Sequence, residues 1–171
     1  MKKNFGIIGN PVRHSLSPLL HNYWFKKYNL DAHYSIIEAE ENDLADIVKK
    51  IKNLSFSGIN VTLPFKQKIL NFTDKIVNDA EKTGSVNTLL LDENLRVIGE
   101  NTDVFGLQAA YLKEIDNGLN KEALVIGGSG FIGSYVSQEL NLRGYNVIIA
   151  DIEKNENLNK LQFIQCDITS R

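Results

Sequence analysis

Cysteine is nearly missing from this chain. Cys166 stands alone among 171 residues, which excludes an internal disulfide and suits a reducing compartment such as the cytoplasm. No apolar run approaches the roughly 18 to 20 residues that a bilayer span needs. The short apolar stretch before Gly9 is also too brief for a signal-peptide core. An excess of one charge is lacking too: 19 basic residues face 21 acidic ones without a block of either sign, which argues against nucleic acid as a partner. Glu100 and Asp103 have no histidine or cysteine at ligand spacing, so no metal is expected. The reading is a cytoplasmic protein without a membrane partner. Its 43% hydrophobic content is enough for a real core, so disorder is not the expectation.

Proline is scarce, and the three present, Pro11, Pro18 and Pro64, fall where elements begin or end. Phe5, Ile7 and Ile8 read as a strand that stops at the turn Gly9-Asn10-Pro11. Ser17-Pro18 opens a helix, with Ser17 as N-cap and Leu20, Trp24 and Tyr28 on its buried face. A second strand over 33–37 follows, and Leu44, Ile47, Val48 and Ile51 recur as an amphipathic helix requires. Residues 58–61 form a third strand, 65–70 a further helix, and 86–91 with 96–98 a strand pair around Asp92-Glu93-Asn94. A helix is expected over 104–112. From Glu122 the texture changes: a buried strand over 123–126, a glycine-rich loop, a helix carrying Ile132, Val136 and Leu140, and strands over 146–150 and 161–165. The fold class is α/β, with a substrate-binding α/β lobe at 1–116 and a partial Rossmann-like βαβ lobe at 122–171. The linker falls within 117–121.

Several polar residues invite two readings. Ser15 and Ser17 frame a helix start, where hydroxyls and N–H groups suit a carboxylate; alone, Ser17 is equally a cap and Ser15 a solvated side chain. Asn60 and Thr62 share one face of an extended segment, and Lys66 follows one turn later. An ammonium there suits a proton donor, although most lysines are simply surface residues. Asn87 and Asp103 stand at strand ends, where open α/β sheets gather side chains into a crevice, and Asp103 can also cap the helix that follows. His14 and His21 read as loop and helix-surface residues.

Taken in order, Gly9-Asn10-Pro11, His14-Ser15-Leu16-Ser17-Pro18, Gly58 through Lys66, Gly84-Ser85-Val86-Asn87-Thr88 and Gly99-Glu100-Asn101-Thr102-Asp103 resemble the N-terminal domain of the shikimate dehydrogenase family over residues 5 to 112. That resemblance implies reversible nicotinamide-dependent reduction of 3-dehydroshikimate to shikimate, with NADP as the usual coenzyme. It implies that Ser15 and Ser17 hold the substrate carboxylate and that Asn60, Thr62 and Asn87, with Asp103, meet the ring oxygens. Lys66 and Asp103 would form the catalytic pair. A small polyhydroxylated acid needs one anion pocket, several neutral donors and acceptors, and one proton donor, and these residue types supply all three.

The C-terminal stretch differs from that family. Gly127-Gly128-Ser129-Gly130-Phe131-Ile132-Gly133 lies between a strand and a helix, and Asp151 ends the next strand, as a dinucleotide site requires. Residues 127–151, with Cys166-Asp167-Ile168-Thr169 beyond, resemble the start of an extended short-chain dehydrogenase or NAD-dependent epimerase, without that family's Tyr-x-x-x-Lys pair. A carboxylate at Asp151 favours NAD, because it bonds ribose hydroxyls and repels the extra phosphate of NADP. The later half of a shikimate dehydrogenase is not in the sequence, so impaired activity is expected. The alternatives are an NAD-dependent nucleotide-sugar epimerase or dehydratase fragment, and a non-catalytic binding module for shikimate-like acids or a dinucleotide. Oligomeric state is not legible.

Overall fold

A computed structural model describes residues 2–110 and 121–169. The chain divides into two compact units, Met1–Thr102 and Asp103–Arg171. The linker expected within 117–121 lies almost wholly outside the described residues.

The first unit is built on strands β1 (Lys3–Gly9), β2 (Ala32–Glu38), β3 (Gly58–Val61), β4 (Lys75–Ile76), β5 (Thr88–Leu91) and β6 (Val97–Glu100), arranged β2-β1-β3-β5-β6-β4. β1 runs parallel to β2 and β3, while β5 is antiparallel to β3 and β6. Alternation along the strands sorts the two faces. Ile8, Ile59, Val61 and Leu89 point to one side, where helix α2 (Leu44–Lys52) buries Leu44, Ile47, Val48 and Ile51 against them. Each such aliphatic side chain contributes about 1.5–3 kcal/mol by leaving water, so this face holds the main core of the unit. Phe5, Ile7, Tyr34 and Ile36 point to the other side, together with Val12 and Phe25.

Helix α1 (Ser17–Lys27) belongs to that second side and departs from expectation. Leu20, Trp24 and Tyr28 are 48%, 40% and 63% exposed, and no α1 residue is fully buried. The helix instead turns His21, Asn22 and Phe25 inward, because the sheet offers aromatic rings and a strand backbone there. The segment expected as a helix over 65–70 is a 3-10 turn at Lys68–Phe72. A short helix, α3 (Asp79–Thr83), precedes β5.

In the second unit, helix α4 (Asp103–Ala110) covers the described part of the helix expected over 104–112. Strands β7 (Glu122–Ile126), β8 (Asn146–Asp151) and β9 (Gln162–Gln165) form a parallel sheet in that order, and helix α5 (Phe131–Leu142) crosses between β7 and β8. Leu140, Val147, Ile149 and Leu158 form its core, with Val125 and Val136 beside them. β7 is not the buried strand its apolar sequence suggested. Leu124 and Ile126 are 60% and 61% exposed, since alternate side chains need cover on both faces and α5 supplies it on one.

Candidate functional site

The start of α1 is closed by Ser15 rather than by Ser17. The Ser15 hydroxyl accepts the Ser17 N–H at 3.2 Å, Leu16 holds the N-cap position, and Ser17 is the first helical residue with Pro18 behind it. Both hydroxyls therefore sit at the positive end of an eleven-residue helix, as an anion pocket requires.

From Ser17 a row of polar side chains runs across the sheet face. Tyr34, 2% exposed, donates its hydroxyl to Asn60 Oδ1 at 2.7 Å. Burial pushes the phenol up to about 12, and a hydrogen bond from the Ser17 side chain offsets part of that rise. Asn60 Nδ2 donates to Thr88 Oγ1 at 3.1 Å and to the Asn87 carbonyl at 3.3 Å. Thr88 donates onward to Asn87 Oδ1 at 3.0 Å, and that oxygen also accepts the Thr102 N–H at 3.0 Å. Register explains the meeting: Asn60 is paired with Ile7 on one side and directly with Thr88 on the other.

Ser17, Asn60 and Asn87 are thus joined, and the joints are residues that sequence reasoning passed over. Tyr34 and Thr88 are the connecting hydroxyls, and Asn22 fixes the first of them. Its amide donates to the Tyr34 carbonyl and accepts the Tyr34 N–H, both at 2.9 Å. His21 stacks flat on the Tyr34 ring with centroids 4.3 Å apart, and burial holds its pKa below the ordinary histidine value. His21 is therefore half-buried packing and not a helix-surface residue. The available signal was Tyr34 itself, a hydroxyl at an inward strand position, which needs a partner.

Thr62 follows β3, its N–H bonded to the Ile8 carbonyl at 2.9 Å. Gly9 makes this possible: a Cβ there would lie 2.5 Å from the Thr62 methyl and 2.9 Å from the Leu63 carbonyl. Lys66 lies just beyond, its carbonyl accepting the Val86 N–H at 2.7 Å. Asp103 is the first residue of α4 and belongs to the second unit, whereas Lys66 belongs to the first. Asn101, 2% exposed, is structural: its amide donates to Ser85 Oγ at 2.7 Å and to the Ser85 carbonyl at 3.0 Å.

In the second unit, Gly127, Gly128, Ser129 and Gly130 connect β7 to α5, and Phe131, Ile132 and Gly133 form its first turn. Gly133 presses on the loop so closely that a Cβ would fall 2.0 Å from the Gly127 carbonyl oxygen. Gly130 is the N-cap without any side-chain capping bond, and the Ser129 hydroxyl is buried with no partner among the described residues. Asp151, at the end of β8, accepts the Ser129 N–H at 2.9 Å and the Ile152 N–H at 2.7 Å. A helix start without a capping side chain, an unpaired buried hydroxyl and a carboxylate at the next strand end fit a dinucleotide: Gly127 to Gly133 for the pyrophosphate and Asp151 for the ribose.

Residues 7–89 match the shikimate dehydrogenase substrate binding domain, and residues 123–171 match the NAD dependent epimerase/dehydratase family. Shikimate dehydrogenase (NADP(+)) of Pelagibacter ubique is 41% identical over 136 residues, covering 80% of this chain and 51% of that protein. Shikimate 5-dehydrogenase of Thermus thermophilus, solved with NADP(H) and shikimate, superposes with a TM-score of 0.77 at 28% identity over 95% of this chain and 63% of that one. The enzyme of Listeria monocytogenes, solved with shikimate and NAD, gives 0.75 at 26% identity over 98% and 62%. The chain spans about half the length of the curated relatives it matches. The resemblance to shikimate dehydrogenases read from the five sequence blocks is borne out, as is the α/β fold.

Proposed function

We propose that the protein is a shikimate dehydrogenase-type oxidoreductase that reversibly reduces 3-dehydroshikimate to shikimate with a nicotinamide coenzyme. The observation that carries this reading is the hydrogen-bonded row joining Ser17, Asn60 and Asn87 on one sheet face. A small acid with several hydroxyls matches a row of neutral donors and acceptors that begins at a helix start. Ser15 and Ser17 take the carboxylate, and Asn60, Thr62 and Asn87 take the ring oxygens. Lys66 gives its proton to the carbonyl oxygen in reduction and recovers it in oxidation, and Asp103 is the carboxylate that the family resemblance assigns to orienting the hydroxyl. The coenzyme supplies the hydride. By sequence the division is a substrate domain at 1–116 and a dinucleotide domain at 122–171, whereas contacts group Asp103 and α4 with the second unit; the lone cysteine supports the cytoplasm as the compartment.

The test is shikimate-dependent reduction of NADP or NAD, run beside calorimetry with shikimate alone. Turnover or micromolar-to-millimolar binding is expected; absence of both would remove the assignment. A second reading, a nucleotide-sugar epimerase or dehydratase, is favoured by the match at 123–171 and predicts conversion of a nucleotide sugar in place of shikimate.

The coenzyme of this chain is NAD, against the NADP named for its relatives. Asp151 sets a carboxylate against the glycine loop, where it accepts bonds from ribose hydroxyls and repels a 2′-phosphate. Lys154 is the nearest cation in sequence after it, and no arginine stands close behind. Fluorescence titration is expected to show tighter NADH than NADPH binding, with Asp151→Ala erasing the difference. Tighter NADPH binding that is unchanged in Asp151→Ala would overturn it.

A further inference from the structure

Asn60 has two ends, and its surroundings decide which one a ligand meets. On the β5 side lies the Asn87 carbonyl, which can only accept, so the Asn60 nitrogen must face it. The amide oxygen then faces Tyr34, whose hydroxyl must donate, as the 2.7 Å contact records. Tyr34 is itself held on three sides: Asn22 clips its backbone with two hydrogen bonds, His21 stacks on its ring, and Ile7 and Val12 share its buried cluster. The phenol has no freedom to follow a rotating amide.

We propose that Tyr34 is a positioning residue of the substrate pocket, locking the Asn60 amide with both N–H groups committed to Asn87 and Thr88 so that Asn60 recognises substrate through the remaining lone pair of Oδ1, as an acceptor from a ring hydroxyl. The proposal rests on the shikimate reading above. It adds a residue that touches no substrate atom and acts through Asn60.

Tyr34→Phe removes the hydroxyl and keeps the ring, the His21 stack and the Asn22 clip. In the full 171-residue chain, shikimate affinity is expected to fall about tenfold while the thermal midpoint stays within a few degrees of wild type. In an Asn60→Ala background the same change should have no further effect on affinity, since a residue that acts only through Asn60 cannot matter once Asn60 is gone. Additive losses in the double variant, or unchanged affinity in Tyr34→Phe, would overturn the proposal. The ligand-free side-chain amide resonance of Asn60 provides an arm independent of shikimate. Its displacement in Tyr34→Phe supports the lock, and an unmoved resonance sinks it. A wild-type chain that binds no shikimate but shows the displaced resonance would count against the functional reading and leave the lock standing.

Discussion

Lys66 is the side chain whose removal most directly separates chemistry from binding. Lys66→Ala should lower turnover at least about 100-fold, the usual worth of a positioned acid-base group, and leave shikimate affinity within an order of magnitude. Parallel loss of rate and affinity in calorimetry and steady-state assays would make Lys66 an anchor instead. Gly9 bears on the same pocket through packing. A Cβ 2.5 Å from the Thr62 methyl and 2.9 Å from a carbonyl has nowhere to go, so Gly9→Ala should destabilise the first unit by about 1–3 kcal/mol, read in urea unfolding; wild-type stability would mean the Thr62 segment yields easily. Asn60 and Asn87 were legible as candidates because each sits in a compact sequence block, and the fold brings them together; Lys66 rests on its block alone. Tyr34 was not, since Asn22 and Asn60 lie 12 and 26 positions away and only strand register brings them together.

Elements divide by how much of their fold is written locally. α2 was fully legible: Leu44, Ile47, Val48 and Ile51 repeat at helical spacing and all four are buried. α1 carries a comparable stripe at Leu20, Trp24 and Tyr28, yet it docks by the neighbouring face, because two hydrogen bonds and a ring stack, all to Tyr34 on β2, outweigh the apolar stripe. That docking depends on a neutral His21. Its folded pKa is depressed by burial below the ordinary 6.5, so the unfolded state binds the proton more readily. The stabilisation is complete above the ordinary histidine value and is lost as pH falls through the depressed folded value. Titration of the His21 ring by NMR, followed with α1 amide exchange, should show the helix loosening only as pH drops below that range. Loosening on alkaline titration would reverse the assignment.

The two units of the molecule differ in how well they are closed. The first has helices on both faces of a six-stranded sheet, whereas among the described residues the three-stranded sheet of the second has a single crossing helix and exposes Leu124, Ile126 and Ile164. Few-stranded parallel sheets covered on one face are marginal, so hydrogen exchange should show lower protection in β7, β8 and β9 than in β1 and β3. Equal protection would refute this unless sedimentation shows self-association. The glycine loop and its flanking elements were readable because their spacing is local, but exposure of β7 was not, since an apolar strand does not reveal which of its faces is covered. A last consequence follows from α1, which has no fully buried residue and is fastened to the sheet through Asn22 and His21. The same helix begins with Ser17. By mass action, a carboxylate held at Ser17, as proposed, would also hold the helix, so raising the shikimate concentration is expected to lower how often α1 detaches. The helix would then be an occupancy gauge, and its detachment frequency a measure of ligand affinity that requires no turnover at all.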